Sequence, residues 1–314
     1  MTRAIAFLVF PDFQILDAAG PIAAFEIAGR IVEGAYSLRV VAADGGLVRS
    51  SAGVAMTAEA FDPTQPIDTL VVAGGEGSRA AALDPRVLDF VRAAAARARR
   101  TTSVCSGAYV LAAAGLLDGR RATTHWNRGR DFARRFPKVR LEPDRIYVRD
   151  GPIWTSAGIT AGIDLVLAMI AEDLSESVAR QTAQQLVVYH RRPGGQSQFS
   201  ALLEMDRPGG RFGALMGWAR ERLHEPLNVE RLAAQAAMSP RNFARAFTAD
   251  TGVTPARAVE RLRVEMARER IEAGPEPIDR VAAAAGFRDP ERMRRAFIRA
   301  FGQPPQALRR AARA

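Results

Sequence analysis

The sequence is nearly devoid of cysteine and lysine. Of its 314 residues one is cysteine, Cys105, and one is lysine, Lys138. A single cysteine excludes an internal disulfide and fits a reducing compartment. Long hydrophobic runs are missing too. The first apolar run, Ala4 to Phe10, stops after seven residues at Pro11 and Asp12, so no signal peptide is expected. No run approaches the ~20 residues that cross a bilayer. A soluble, cytoplasmic protein with no membrane partner is expected.

What is present in excess is arginine, and it is unevenly placed. The formal net charge is +10. From Asp206 to Ala314 there are 21 arginines against 13 acidic residues, whereas Met1 to Met205 holds 23 basic against 21 acidic. A basic C-terminal third suits a polyanion, because each phosphate it neutralises releases a condensed counterion. Abundant arginine and alanine with almost no lysine is also what a GC-rich genome produces, so charge alone leaves the partner open.

At this length two domains are expected. Residues 1–190 alternate short β-rich runs with helical stretches. Ala4–Phe10 is continuously apolar, as in a strand buried on both faces. Further strands are predicted at Leu38–Ala43, Thr69–Ala73, Thr101–Val104, Arg145–Val148 and Ile153–Thr155. Helices are predicted at Gln14–Ile27, Pro85–Arg99 (N-capped by Asp84), Ala108–Leu117 and Gly162–Ile170. Such alternation means an α/β domain: a parallel sheet with helices on both faces and its site at the carboxyl ends of the strands. The stretches HRRPGGQSQ and DRPGG place a linker at 191–210. Residues 211–314 read as helices separated by turns.

The helical part contains an internal repeat. At an offset of 50, Ser239-Pro240 falls on Asp289-Pro290, Phe243 on Met293, Arg245-Ala246-Phe247 on Arg295-Ala296-Phe297, Gly252 on Gly302 and Pro255 on Pro305. Upstream the offset is 49, pairing Val229, Leu232 and Ala233 with Ile278, Val281 and Ala282. Each copy predicts a short helix (Val229–Gln235, Ile278–Ala284), a turn, and a capped helix beginning at Ser239 or Asp289 with proline first. Phe243 and Phe247, or Met293 and Phe297, stand four apart and face a core. That turns Arg241, Ala244, Arg245 and Thr248 outward in one copy, and Glu291, Arg292, Arg295 and Arg299 in the other. A braced helix with outward arginines is the geometry that enters a major groove, where Arg pairs with guanine and Glu accepts from cytosine N4. One such helix would read as a solvated face; two at fixed spacing read as DNA-binding. From Thr254-Pro255 a helix of about 20 residues to Ala273 could span ~30 Å and set the copies in successive grooves.

The residues MSPRNFARAFTADTGVTP and GFRDPERMRRAFIRAFGQPPQALRR make the segment from about Phe212 to Arg310 resemble the AraC/XylS family DNA-binding domain. The resemblance implies two helix-turn-helix units that both read bases, through Arg241, Ala244 and Arg245 in the first and Glu291, Arg292, Arg294 and Arg295 in the second.

Cys105 sits in SVCSGA, where a short strand meets a helix through a tight turn. A cysteine on such an elbow lies at the positive end of a helix dipole, so a lowered thiol pKa is expected. Gly74-Gly75 could bring backbone N–H groups close to it, as an oxyanion site requires, and Asp17 could share a hydrogen bond with the thiol. A lone cysteine in a Gly-rich turn is equally well a buried structural residue, and a redox role is a third reading. His125, in THW, is either a base or a structural residue.

The pieces FPDFQILDAAGP, VVAGGEG, TSVCSGAYVLAAAGLLDGRRATTHW and TSAGITAGID make Ala4 to Val188 resemble the ThiJ/PfpI, class I glutamine amidotransferase-like fold, which is flavodoxin-like. The likeness is greatest to the isonitrile hydratase branch and to GlxA-type regulators that fuse this fold to an AraC domain. It implies Cys105 as the elbow nucleophile and Asp17 as its acidic partner, either vestigial or turned to ligand sensing, with Gly75 and Ser106 completing a ligand site. Ser106 stands where peptidase-like members carry His, so proteolysis is not expected. The expectation is a transcriptional regulator, not an enzyme, with operator DNA, a small-molecule effector and a second copy joined through the N-terminal domain as partners, and with no metal or cofactor. The alternative is a cysteine-dependent hydratase or amidase using Cys105 and Asp17.

Overall fold

A computed structural model describes residues 2–62, 64–188, 196, 211–301 and 303–313. The chain separates into two compact units, Met1–Arg192 and Pro193–Ala314. The expected linker, 191–210, lies outside the described residues, Gln196 aside.

In the first unit the strands are β1 (Arg3–Leu8), β2 (Tyr36–Ala42), β3 (Gly46–Arg49), β4 (Ala55–Ala60), β5 (Thr69–Val72), β6 (Arg100–Ser103), β7 (Arg121–Ala122), β8 (Arg140–Leu141), β9 (Tyr147–Asp150) and β10 (Ile153–Ser156). The helices are α1 (Ile15–Ile31), α2 (Ser78–Ala81), α3 (Pro85–Ala95), α4 (Ala108–Ala113), α5 (Gly129–Arg135), α6 (Ala161–Asp173) and α7 (Glu176–Gln185). Eight strands form one sheet in the order β3-β4-β2-β1-β5-β6-β10-β9. The six from β4 to β10 run parallel, and the two edges, β3 and β9, are antiparallel to their neighbours. Those edges depart from an all-parallel sheet because the loops at 50–54 and 151–152 are too short for a crossover; only antiparallel strands can be joined so tightly.

The apolar run of β1 serves two cores, as a period of two requires. Ala6 and Leu8 pack with Val87, Val91, Val110 and Leu111 of α3 and α4. Ile5 and Phe7 pack with Phe25, Leu165 and Met169 of α1 and α6. Asp84 caps α3 as expected, its Oδ1 accepting the Arg86 N–H at 2.9 Å. Because β2 pairs on one side of β1 and β5 on the other, the connections leaving the carboxyl ends of β1 and β5 diverge. This is the topological switch point, where folds of this kind place their sites.

The second unit holds α8 (Gly213–Arg220), α9 (Val229–Gln235), α10 (Pro240–Thr251), α11 (Pro255–Ala273), α12 (Ile278–Ala284), α13 (Pro290–Phe301) and α14 (Pro305–Arg313). The repeat becomes two small cores. Phe212, Leu232, Phe243 and Phe247 close the first and Val281, Met293, Phe297 and Phe301 the second. Helix α11 serves both, giving Ala258, Val259 and Leu262 to one and Val264, Ala267 and Ile271 to the other. Its 19 residues span about 28 Å at 1.5 Å per residue. Proline opens both α10 and α13. The caps differ: Asp289 Oδ1 accepts the Arg292 N–H at 2.6 Å, whereas the Ser239 hydroxyl caps nothing. Gly252 ends α10 in the left-handed conformation, φ +73°; Gly302 lies outside the described residues.

Candidate functional site

Four connections bring their residues together at the switch point. Asp17 comes from the first turn of α1, after β1; Gly74 and Gly75 follow β5; Cys105 and Ser106 follow β6; Ile159 follows β10. Cys105 takes φ +57°, a left-handed conformation that costs a β-carbon-bearing residue about 1–2 kcal/mol. It is held there from three sides. Its N–H donates to Ala157 O at 3.1 Å, its carbonyl accepts the Thr124 hydroxyl at 2.9 Å, and its side chain hydrogen-bonds Asp17. Asp17 is fully buried. Its Oδ2 accepts the Gly74 N–H and its Oδ1 the Ile159 N–H, each at 3.1 Å. Approach is so close that a Cβ on Gly74 would lie 2.6 Å from Asp17 Oδ2 and 2.7 Å from Cys105 Cβ. The sequence-predicted set Asp17, Gly75, Cys105 and Ser106 is therefore one cluster.

Its chemistry corrects two expectations. The thiol pKa is raised, not lowered. Burial of Cys105 pushes it up first and the neighbouring Asp17 carboxyl second, and these outweigh the Ser106 N–H. The helix behind the elbow, α4, has only six residues and offsets little of that cost. Nor are the Gly74 and Gly75 amides free to form an oxyanion site. Gly74 N–H is taken by Asp17, and Gly75 N–H donates to Ser106 Oγ at 2.9 Å. Ser106 Oγ also meets Ser78 Oγ at 2.7 Å. Burial raises the Asp17 carboxyl to about 7, against hydrogen bonds from Cys105, Gly74 and Ile159 that lower it. Around neutrality the site thus holds a protonated thiol beside a carboxyl that retains its proton far above the usual carboxylate range.

His125 is structural in its contacts. Its Nδ1 pairs with Asn127 Oδ1 at 2.7 Å, and its ring lies against Gly158, where a Cβ would come within 1.8 Å of Cδ2. Burial lowers its pKa and so favours the neutral ring. It braces the 157–159 loop that Cys105 and Asp17 hold from beneath. Ile159, Ser78 and Thr124 were not singled out by sequence reasoning. The small-residue run TSAGIT after β10 was the one available signal for Ile159.

The second unit presents an open surface. On α10 Arg241 and Arg245 are exposed and Ala244 is half-buried; on α13 Glu291, Arg292, Arg294 and Arg295 are all exposed. Phe243, Phe247, Met293 and Phe297, on the opposite faces, are each 0% exposed. The exposed groups differ in engagement. Arg294 grips Glu291 with two bonds, Nε–Oε2 2.7 Å and Nη2–Oε1 3.0 Å, so Glu291 is occupied in the free protein. Arg245 donates to Asn242 Oδ1 at 3.1 Å, and Arg299 pairs with Glu260 of α11 at 3.0 Å. Arg241, Arg292 and Arg295 have no carboxylate within salt-bridge distance among the described residues. Each cation is thus left available to an anion or a base edge. Among the described residues no group of three His, Cys, Asp or Glu could hold a metal ion, and no helix is long and apolar enough to cross a membrane.

Comparison with known proteins matches this division. Residues 3–172 fit the DJ-1/PfpI family and residues 232–311 a helix-turn-helix domain. The chain is 30% identical over 308 residues to the HTH-type transcriptional regulator CdhR of Pseudomonas aeruginosa, covering 97% of this chain and 91% of that one. It is 38% identical over 189 residues to an isonitrile hydratase of Pseudomonas putida, covering 59% of this chain and 78% of that one. A crystal structure of a ThiJ/PfpI family protein from Pseudomonas syringae superposes with a TM-score of 0.57 at 32% identity, over 76% of this chain and 92% of that one. The hydratase match covers only part of the chain, whereas the regulator match runs along nearly all of it. The chain belongs to the DJ-1/PfpI family, in the group of transcriptional regulators that carry a C-terminal helix-turn-helix domain.

Proposed function

We propose that the chain is a one-component transcriptional regulator that reads an operator through α10 and α13 and senses a small molecule at the Cys105–Asp17 elbow. One observation carries this: a duplicated helix-turn-helix unit on a shared α11, each copy with a buried apolar stripe and an opposite face bearing exposed arginines. The base-reading residues are Arg241, Ala244 and Arg245 in the first unit and Glu291, Arg292, Arg294 and Arg295 in the second. Glu291 exchanges its Arg294 partner for a base or leaves it in place as a neutral pair. A mobility-shift assay with the upstream region of the protein's own operon is expected to show salt-sensitive, sequence-selective binding; its absence would refute the proposal.

The elbow serves as a sensor, not a catalyst, in this reading. A thiol kept protonated and amides already engaged inside the fold favour binding over turnover. Gly75, Cys105 and Ser106 line the effector site with Asp17 behind them. Self-association is assigned to the first unit, whose Leu47, Val54 and Leu83 are 58–81% exposed and available to a second copy. Sedimentation is expected to show a dimer that Leu83→Asp weakens, and a monomer at all concentrations would contradict it. The second reading, a cysteine-dependent hydratase, rests on Asp17, Cys105 and the 38% identity of the first domain to an isonitrile hydratase. Assaying isonitriles and small amides with the protein and Cys105→Ala separates the two: regulation predicts no turnover from either.

A further inference from the structure

The two helix-turn-helix units touch at a seam that the repeat does not explain. Gly286, in the turn between α12 and α13, takes φ +78°, and a Cβ there would stand 1.8 Å from the backbone oxygen of Leu223 and 2.9 Å from Arg263 Nε. Leu223 is part of the first unit's core, and Ala285 and Phe287 on either side of Gly286 are part of the second's. Arg263, half-buried on α11, fastens the same spot, donating Nε to Leu223 O at 3.1 Å and Nη2 to Glu225 O at 2.8 Å. Its counterpart groups are carbonyls, not a carboxylate, and the charges around it are those of Arg288 and Arg292, which together with burial lower its pKa. One helical turn earlier on α11, Glu260 holds Arg299 of α13 at 3.0 Å. Arg263 thus ties α11 to the segment after α8, Glu260 ties α11 to α13, and the glycine-only contact seats the turn before α13 against Leu223.

Resting on the regulator reading, the geometry points to Arg263 and Gly286 as positioning residues that fix the phase between α10 and α13, and hence the base-pair spacing the protein accepts between its two recognition tracts. Inserting one base pair rotates one tract by about 35° about the duplex axis. A rigid reader must strain or release one helix to follow; a loosely hinged one need not. Fusing the units in this way spends some freedom of the free protein on selectivity for spacing.

The test has two arms on the full-length chain. In the first, spin labels at Thr248→Cys and Ile298→Cys, in a Cys105→Ala background, report the distance between the recognition helices without DNA. A single narrow distribution is expected, and Gly286→Ala or Arg263→Met should broaden it. In the second, DNA selected from a random pool by the parent protein is re-synthesised with one base pair added between the protected tracts. The parent should lose roughly tenfold in affinity, and the variants roughly threefold or less. Glu260→Gln, which cuts only the exposed tie and leaves both cores intact, should give an intermediate loss and covers the case in which the seam variants do not fold. A broad distribution in the parent, or variants that keep both the narrow distribution and the full spacing penalty, would overturn the assignment. Failure to select any DNA would sink the regulator reading, while the label distances would still decide whether the seam holds the units together.

Discussion

Asp17 and Arg295 illustrate opposite ways of placing a charged group. Asp17 is fully buried, with both oxygens on backbone amides and the Cys105 thiol alongside. Arg295 stands exposed on α13 with no carboxylate bound. The elbow of the first domain satisfies Asp17 and Cys105 internally, at the cost of shifting their ionisation. The second leaves Arg241, Arg292 and Arg295 without a carboxylate partner among the described residues and rests on the apolar stripe beneath. A closed polar cluster is poised to respond to whatever enters it; an open cationic face is poised to bind a polyanion.

The largest consequence of the contrast concerns pH. The Asp17 carboxyl is raised from 3.8 to about 7, so between those values the folded state holds a proton that the unfolded chain has released. Stability contributed at this site is therefore greatest below pH 4, falls as pH rises, and levels off above about 7, by an amount on the order of 4 kcal/mol. Calorimetry of the full chain should show the first domain's transition dropping over this window, and Asp17→Asn should flatten the slope. An unchanged slope in the variant would break the comparison. The same burial predicts slow iodoacetamide alkylation of Cys105 with a midpoint above the ~8.5 of a free thiol; a midpoint at or below that value would show an activated cysteine.

On the open side, Arg295→Ala should weaken operator binding by roughly 1–3 kcal/mol and relax base preference at one position, while leaving the unfolding temperature unchanged. Equal affinity in an anisotropy titration would remove Arg295 from the reading face. The smallest effect compares the turns of the two units. Ala237 is forced to φ +52° where the second unit has Gly286 at +78°. Ala237→Gly should stabilise the first unit by about 1 kcal/mol, and destabilisation on urea titration would show that the alanine side chain packs usefully there.

Much of this was legible in the sequence, for identifiable reasons. Repetition made α9–α10 and α12–α13 visible down to their bounds, since Pro240 and Pro290 mark the starts and Phe243, Phe247, Met293 and Phe297 the buried face. The elbow residues could be grouped because each follows a strand at the same end of the sheet. The edge hairpin β3–β4 escaped notice: its strands are short, with Leu47 exposed within β3 and Val54 exposed just before β4, and carry no clean alternation. The raised thiol pKa escaped as well, because a local pattern suggests the helix dipole but cannot count the surrounding atoms that exclude water. The seam at Gly286 and Arg263 depends on contacts between segments some 40–60 residues apart, which no local pattern encodes.

In the proposed binding mode α10 and α13 read the same duplex together. Methylation interference on a selected operator, with the parent, Arg245→Ala and Arg295→Ala, tests it most directly. Two guanine-containing tracts about one helical turn, ~10 base pairs, apart are expected, with each substitution erasing interference at a different tract. A single tract in the parent, or both substitutions acting on the same one, would contradict it.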